Sequence, residues 1–595
     1  MKPVELASSL FSSTRDRAFP LSLVAVLTLF VLWLPDFWTF LFISALTTGL
    51  IALSVGIVYG RARMVSLCQF SFAAVGAWVV GWLNVNYNLP FVVMILVGGL
   101  AAVPLGALIG LLSLRLRGIN LAVATLGFAA ATIVYLRQTP FPGSFNGQFV
   151  ERPAAFSSEN RFFLLCAVVF AAVVSLVGYL DRRRVGRAWL AVRYSERATA
   201  AVGMSVARVK LAAFSLGAFV AAVGGGLLVG QNGIVSLRSF EPFDSLLIFA
   251  VAALTGARYV DGAIGAGLLG AILPELFRRW GIPLDVAPML FGVGAIYVLS
   301  QGAEGAHGQL REQWRARRAS RGLPTEGTGP ARVPEPAGSE SGPAFPPSGR
   351  GGRGTANRAG QPVLAIGGLT VRYGAVVALD RVDIDILPGT VHGLIGPNGA
   401  GKSTLIDTVT GFVEPAAGRV LLEGSAIDRL PVHKRARAGV RRTFQQGRAI
   451  PDLTVGQYLQ LAGGRPEEFE DLLVFMDCPP VDRRISEIDM ARRRPVEVAA
   501  SLLGRPRVVL LDEPGAGLAE DESAALARRI ADIPERFGCA VLLVEHDMTM
   551  VVGACDGITV LDFGETIASG PVDKVLEDPR VVEAYLGVPI EGVSS

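Results

Sequence analysis

Lysine is scarce in this chain of 595 residues. Lys2, Lys210, Lys402, Lys434 and Lys574 are the whole set, although Lys and Arg together number 55. Charged side chains make up only 18% of the total and the net charge is +4, with the arginines gathered in particular loops. That balance gives no reason to expect a nucleic-acid partner. The five cysteines (Cys68, Cys166, Cys478, Cys539, Cys555) have an odd count and no CxxC spacing, which argues against a disulfide framework or a zinc cluster and for isolated small apolar residues in a reduced compartment. No small-residue cleavage site follows the first apolar run, so that run is expected to stay as a membrane helix. What the chain has in abundance is apolar side chain: 51% of residues, with a mean hydropathy of +0.47. That excludes an ordinary soluble enzyme and points to transmembrane helices with lipid around them.

Against this background Lys402 stands out, because it closes the stretch Gly396, Pro397, Asn398, Gly399, Ala400, Gly401, Lys402, Ser403, Thr404. An apolar run, Val391 to Ile395, precedes it and a helix-compatible run, Leu405 to Val409, follows. Strand, glycine loop and helix in that order is the setting a phosphate-binding loop requires. The glycines let backbone N–H groups converge on phosphate oxygens, and the helix N-terminus adds partial positive charge. Lys402 reaches the β- and γ-phosphates and the Ser403 hydroxyl ligates Mg²⁺. The chain is therefore expected to bind ATP with Mg²⁺.

The length suggests about three to four domain equivalents, but membrane segments distort that count. From Phe19 to Ser300 apolar runs alternate with short polar or glycine breaks, at 20–36, 38–59, 66–83, 90–113, 119–136, 162–180, 211–230, 244–257, 262–277 and 285–300. Several approach the ~20 residues a bilayer needs. The third, eighth and ninth are short or rich in small residues, as tilted, broken or re-entrant helices are. Arginine placement orients the set. With the N-terminus inside, the inner loops hold Arg61, Arg63, Arg115, Arg117, Arg258 and a dense group from Arg182 to Lys210. The outer loops hold only Arg137, Arg152, Arg161, Arg238, Arg278 and Arg279. The same count puts everything after Ser300 inside, where ATP is. Small residues recur (Ala221, Ala222, Gly224, Gly225, Gly226, Gly256, Gly262, Gly265, Gly267, Gly270) and would let helix backbones approach in lipid, although plain tight packing explains any one of them. No charge sits mid-span, which argues against a proton relay.

Residues 301–360 change character. Arg311 to Arg321 is basic and helix-compatible; Leu323 to Gly360 is rich in Gly, Pro, Ser, Ala and Arg and has almost nothing apolar to bury. Disorder and a tethering role are expected there. Beyond it, Arg507 to Pro514 reads as a buried strand ending in Asp512 and Glu513, and Val541 to Asp547 as a second strand ending in His546. Phosphoryl transfer needs a metal clamp and a placed water, which Asp512 and Glu513 supply.

With these residues in view, the second half resembles the ATPases of ABC transporters. The resemblance implies that Tyr373 stacks on adenine, that Gln445 is the Q-loop glutamine linking nucleotide to membrane domain and joining Ser403 and Asp512 around Mg²⁺, and that His546 contacts the γ-phosphate. Taken singly, each of these residues could be an ordinary loop or strand-end residue. The first half resembles the permeases of the branched-chain amino-acid ABC importer family, the Liv type, in three stretches: Ser66 to Trp78, Leu114 to Phe128, and Gly186 to Lys210. In that family the third holds the coupling helix that docks on the ATPase; the other reading is a membrane-anchoring basic loop. Gly570 to Gly587 resembles the C-terminal end of the Liv-type ATP-binding subunit.

One part departs from the pattern. Where the ABC signature, Leu-Ser-Gly-Gly-Gln or a close variant, should lie, this chain has Ile488, Asp489, Met490, Ala491 and Arg492. Asp489 brings a like charge toward a γ-phosphate, which at ~4 Å and an effective dielectric of ~20 costs on the order of 4 kcal/mol. Ala491 adds a Cβ where backbone must come close. Ala519 also replaces the polar residue typical of the D-loop. ABC dimers build each site from one subunit's P-loop and the other's signature, so pairing with an ATPase of intact signature would leave one good composite site.

The sequence thus predicts a polytopic α-helical membrane domain of about ten spans (1–300), a linker (301–360) and an α/β P-loop ABC ATPase (361–595). The expected activity is ATP-driven import of branched-chain or hydrophobic amino acids across the cytoplasmic membrane, with N-terminus and ATPase inside. The resemblance implies three partners: a second Liv-type permease, a second ATPase forming a heterodimer, and an extracytoplasmic substrate-binding protein. The alternatives are a slow nucleotide-binding gate, or import of urea, amides or aromatic acids.

Overall fold

The computed structural model describes residues 33–87, 89–139, 148–150, 152, 154–235, 240–256, 258–283, 285–300, 360–445 and 449–586. Most of the first apolar run, nearly all of the expected linker and Gly587 lie outside them. Two compact units emerge: the residues up to Arg193 with those from Val206 to the linker, and Tyr194–Ser205 with the C-terminal part. All five cysteines are free thiols.

In the first unit the apolar runs become helices because continuous apolar sequence in lipid has to satisfy its backbone internally. Six are long and apolar enough to cross a membrane: Asp36–Arg61, Phe91–Leu112, Ile119–Gln138, Glu159–Arg182, Val206–Asn232 and Val260–Arg279. Gln69–Tyr87 and the shorter Pro242–Thr255 and Val286–Ser300 complete the apolar set among the described residues. The run expected at 262–277 is longer than its composition suggested, extending to Arg279. The run expected at 66–83 starts late. Residues 63–68 are non-helical, and long-range side chains satisfy the freed amides: Leu67 N–H donates to Thr125 Oγ1 (3.0 Å) and Phe70 N–H to Ser245 Oγ (3.2 Å). Such backbone is tolerated at membrane depth only where protein surrounds it. Two short strands, β1 (Gln148–Phe149) and β2 (Ile234–Val235), pair antiparallel.

Asp36–Arg61 and Val206–Asn232 form the centre, each with 72% of its most apolar window buried against 33–39% for the other four spans. Small residues permit this. A Cβ on Gly225 would lie 2.0 Å from the Ala73 carbonyl oxygen, on Gly76 2.1 Å from that of Ala222, and on Gly267 2.0 Å from that of Ala45. Tight packing therefore accounts for these glycines.

The second unit carries two sheets. β3 (Leu364–Tyr373), β4 (Val376–Ile386), β6 (Ala417–Leu422) and β7 (Ser425–Ala426) form an antiparallel sheet in the order β4-β3-β6-β7. The larger sheet uses β5 (Val391–Ile395), β8 (Val440–Arg442), β9 (Val508–Asp512), β10 (Ala540–Val544), β11 (Gly557–Asp562) and β12 (Glu565–Pro571), ordered β12-β11-β5-β10-β9-β8. It is parallel except for β12. β9 and β10 are buried along their whole length, as central parallel strands covered on both faces are. Val544 pairs with both Asp512 and Leu394, so β5, β9 and β10 end level. Ligands bind beyond the carboxyl ends of such strands.

Candidate active site

The level ends of β5, β9 and β10 bring the P-loop, Asp512, Glu513 and His546 to one edge of the larger sheet, whereas Tyr373 ends a strand of the other sheet. β5 runs into Gly396, whose φ is 150° and where a Cβ would lie 2.1 Å from the Leu561 carbonyl oxygen, so no side chain fits. Gly401 follows with φ 103° and starts the helix Lys402–Thr410. The Lys402 ammonium, largely buried, donates to the carbonyls of Gly396 (2.6 Å) and Pro397 (3.0 Å) and so folds over the loop. Burial lowers its pKa, and the charges of Glu513 and Asp512 oppose that. Fully buried Arg435 anchors the other end of this helix, donating to the Thr408 and Val409 carbonyls (2.7 and 2.8 Å), where the helix dipole favours a cation.

Asp512 closes β9, 5% exposed. Burial raises its pKa; the Arg442 guanidinium, donating through Nη2 to Oδ2 at 3.1 Å, pulls it back, and Glu513 pushes it up further. Glu513 has φ +46°, an uncommon backbone conformation for a residue with a side chain, and its N–H donates to the Val544 carbonyl (2.9 Å). Gln445 Nε2 donates to Glu513 Oε2 at 2.7 Å, so two residues 68 positions apart meet. His546 follows β10 with its side chain 64% exposed. Its neighbour Glu545 is buried instead, accepting from Gly515 N–H (2.8 Å) and from His546 N–H (3.2 Å). Tyr373, half-exposed, ends β3. The hydroxyl of Ser403, the carboxylate of Asp512 and the amide oxygen of Gln445 are the hard oxygen donors Mg²⁺ prefers, and one carboxylate with nucleotide phosphates suffices to hold it.

The signature stretch stands apart. No hydrogen bond or ion pair among the described residues joins Ile488–Arg492 to the P-loop, Asp512 or Glu513. Ile488 is buried, and Asp489 is the N-cap of the helix Met490–Leu502, its Oδ1 accepting from Arg492 N–H at 2.7 Å. The carboxylate therefore occupies the helix N-terminus. Further along, Arg494 donates to the carbonyls of Phe444 (3.0 Å) and Gln445, and Glu497 accepts from Ala449 N–H (2.8 Å), tying the Met490–Leu502 helix to the backbone on either side of 446–448.

Sequence reasoning missed three side chains here: Arg442, Arg494 and Asp407. The available signal was charge within apolar surroundings, since all three residues of β8 are buried although two are arginines. Tyr194–Ser205 also packs on this unit. Tyr194 Oη donates to Asp452 Oδ2 (2.7 Å) and Arg437 Nε to the Gly203 carbonyl (2.7 Å), while Arg197 Nη2 meets Asp407 Oδ2 (3.3 Å). Val202 packs against its apolar core.

Three family models match the chain: the branched-chain amino acid transport system permease component over 38–299, the ABC transporter over 379–516, and the branched-chain amino acid ATP-binding cassette transporter over 565–590. BraF of Pseudomonas aeruginosa, a high-affinity branched-chain amino acid transport ATP-binding protein, is 34% identical over 251 residues, covering 38% of this chain and 98% of BraF. The chain belongs to the Liv-type family of ABC transporters. LivG of Escherichia coli K12 is 33% identical over 251 residues, again 38% of this chain and 98% of LivG. Among solved structures, an ATP-binding cassette of an ABC transporter in its ADP conformation is 29% identical, covering 38% of this chain and all of that one, at a TM-score of 0.35. This Liv-type chain joins a membrane-integral permease to an ATP-hydrolysing cassette.

Proposed function

We propose that the chain is the fused permease and ATPase of an importer for branched-chain or other hydrophobic amino acids. The observation that carries this is the presence, in one chain, of a branched-chain permease match over 38–299 and similarity to almost the whole of BraF and LivG. About ten spans cross the cytoplasmic membrane within 1–300, 301–360 is a tether, and the ATPase of 361–595 lies with the N-terminus on the inside. The P-loop from Gly396 to Thr404 cradles ATP phosphates, Lys402 neutralises the β/γ pair, and Tyr373 stacks on adenine. Ser403, Asp512 and Gln445 would hold Mg²⁺, which supplies charge neutralisation between phosphates. Glu513 orients the attacking water and His546 contacts the γ-phosphate. Helix Glu196–Ala201 is the coupling element.

A second permease, a second ATPase of intact signature and an extracytoplasmic binding protein complete the assembly. In the heterodimer this chain's P-loop site is complete, and the reciprocal site, facing the Asp489-capped helix, is degenerate. The test is uptake of radiolabelled leucine, isoleucine or valine into proteoliposomes holding the complete assembly and ATP. Saturable uptake abolished by Glu513→Gln supports the reading. Uptake of urea or aromatic acids in place of these amino acids overturns the substrate assignment, and tight ATP binding with no uptake overturns the importer in favour of a gate.

A further inference from the structure

Four charges of alternating sign run in sequence through the ATPase unit. Arg197, in the docked segment, meets Asp407 Oδ2 at 3.3 Å. Asp407 Oδ1 accepts from Arg442 Nη1, and Arg442 Nη2 donates to Asp512 Oδ2 at 3.1 Å. Asp407 lies one helical turn after Ser403, on the same side of the P-loop helix. The middle of the chain is sheltered: the Arg442 side chain is 4% exposed, with its guanidinium over the rings of Phe444 (4.4 Å) and Phe412 (5.6 Å). Arg197 stacks on the same Phe412 ring (4.9 Å). Arg442 Nε donates to the Thr443 carbonyl (3.1 Å), so its planar fork is fully engaged and divided between two carboxylates.

We propose that Arg197, Asp407 and Arg442 are a positioning relay through which docking of the 194–205 segment sets the cation affinity of Asp512. This rests on the reading of Asp512 as a metal-holding carboxylate. The two arginines share Asp407 through different oxygens. While Arg197 is docked, the Asp407 charge is partly neutralised and Arg442 stays divided between Asp407 and Asp512, where a guanidinium opposes a metal ion. When Arg197 withdraws, Asp407 draws Arg442 toward itself and the Asp512 carboxylate is freed. By reciprocity, metal–nucleotide binding weakens the Arg197–Asp407 contact by the same factor.

The test is a titration of Mn²⁺ by electron paramagnetic resonance, with saturating ATP, on the full chain carrying Glu513→Gln so that nothing turns over. Arg197→Ala tightens Mn²⁺ binding and Asp407→Asn weakens it, each by about 2- to 30-fold. The double variant matches Asp407→Asn alone, because Arg197 acts only through Asp407; a through-space effect of the Arg197 charge would persist in that background. Arg197→Lys restores the parent value. Tyr194→Phe, which removes the hydrogen bond to Asp452 and so loosens the same docked segment, tightens Mn²⁺ binding in the direction of Arg197→Ala but by less, and has no effect in the Asp407→Asn background. The relay is overturned if Arg197→Ala weakens binding or does nothing, if the double variant is additive, or if Tyr194→Phe still shifts binding when Asp407 is already Asn. Should Asp512→Asn leave Mn²⁺ binding intact, the reading of Asp512 itself fails, a result distinct from failure of the relay.

Discussion

Replacing Asp489 by serine separates the two things that residue does. As a helix N-cap it holds the Arg492 N–H at 2.7 Å, and serine caps about as well as aspartate, so the fold should change by no more than about 0.5 kcal/mol. The charge is what disappears. Two unit charges at ~4 Å repel by about 1 kcal/mol in water and about 4 kcal/mol at an effective dielectric of 20. The Asp489 side chain is 65% exposed, which favours the lower figure; in the proposed dimer, closure of a partner P-loop over it would exclude water and move the cost upward. Arg492, 4.0 Å away and exposed itself, offsets little. At about 1.4 kcal/mol per tenfold, the gain in nucleotide affinity at the site this helix faces spans from about 5-fold to nearly 1000-fold. The assay is ATP-dependent self-association and ATP turnover of the full chain alone, where both sites of a homodimer contain this helix. Asp489→Asn, which keeps shape and cap, should follow Asp489→Ser, whereas Asp489→Ala additionally loses about 1 kcal/mol of helix stability. If serine and asparagine both leave association and turnover within about 2-fold of the parent, the electrostatic account of the degenerate signature is wrong.

Glu513→Gln should lower turnover of the assembled transporter by at least about 10²-fold while ATP binding, read by a fluorescent nucleotide, stays within about 2-fold. Stability of the ATPase should fall in mild acid because burial lowers the His392 pKa to about 4 from 6.5. Between those values the unfolded chain binds the extra proton, so a contribution of about 3 kcal/mol is complete above pH 6.5 and lost toward pH 4. His392→Gln should flatten the pH dependence of the denaturation midpoint over that range, and an unchanged slope would refute the assignment. In the membrane unit, Gly225→Ala forces a Cβ onto the Ala73 carbonyl and should cost about 1–3 kcal/mol, seen as a lower melting temperature in detergent. Gly127→Ala, with nothing within 4 Å, should be neutral or slightly stabilising.

What could be read from sequence was what local pattern encodes. The P-loop was legible because apolar strand, glycine loop and helix start are contiguous, and the strand ends carrying Asp512 and His546 because buried parallel strands are continuous apolar runs. The helices of the first unit followed their apolar runs to within a few residues, since lipid leaves the backbone no alternative. The late start at Gln69 was hidden, because the residues that stabilise the unwound stretch, Thr125 and Ser245, lie 58 and 175 positions away. Arg442 was hidden for the same reason, its carboxylate partners being 35 and 70 positions off. Asp489 stood out in the sequence as a charge where the family's signature has none, but its capping role depends on where the helix begins, and element boundaries are what periodicity fixes least well.

The central claim is that this chain supplies one intact composite site and needs a second ATPase to complete it. The direct measurement is ATP hydrolysis by the purified full chain, alone and with a Liv-type permease and an ATPase of intact signature added, using Glu513→Gln as the blank. The account predicts little turnover alone and turnover that appears with the partners and disappears in the Glu513→Gln chain. Equal turnover without the partners would mean that Ile488 to Arg492 works as a signature and that the one-site heterodimer is wrong.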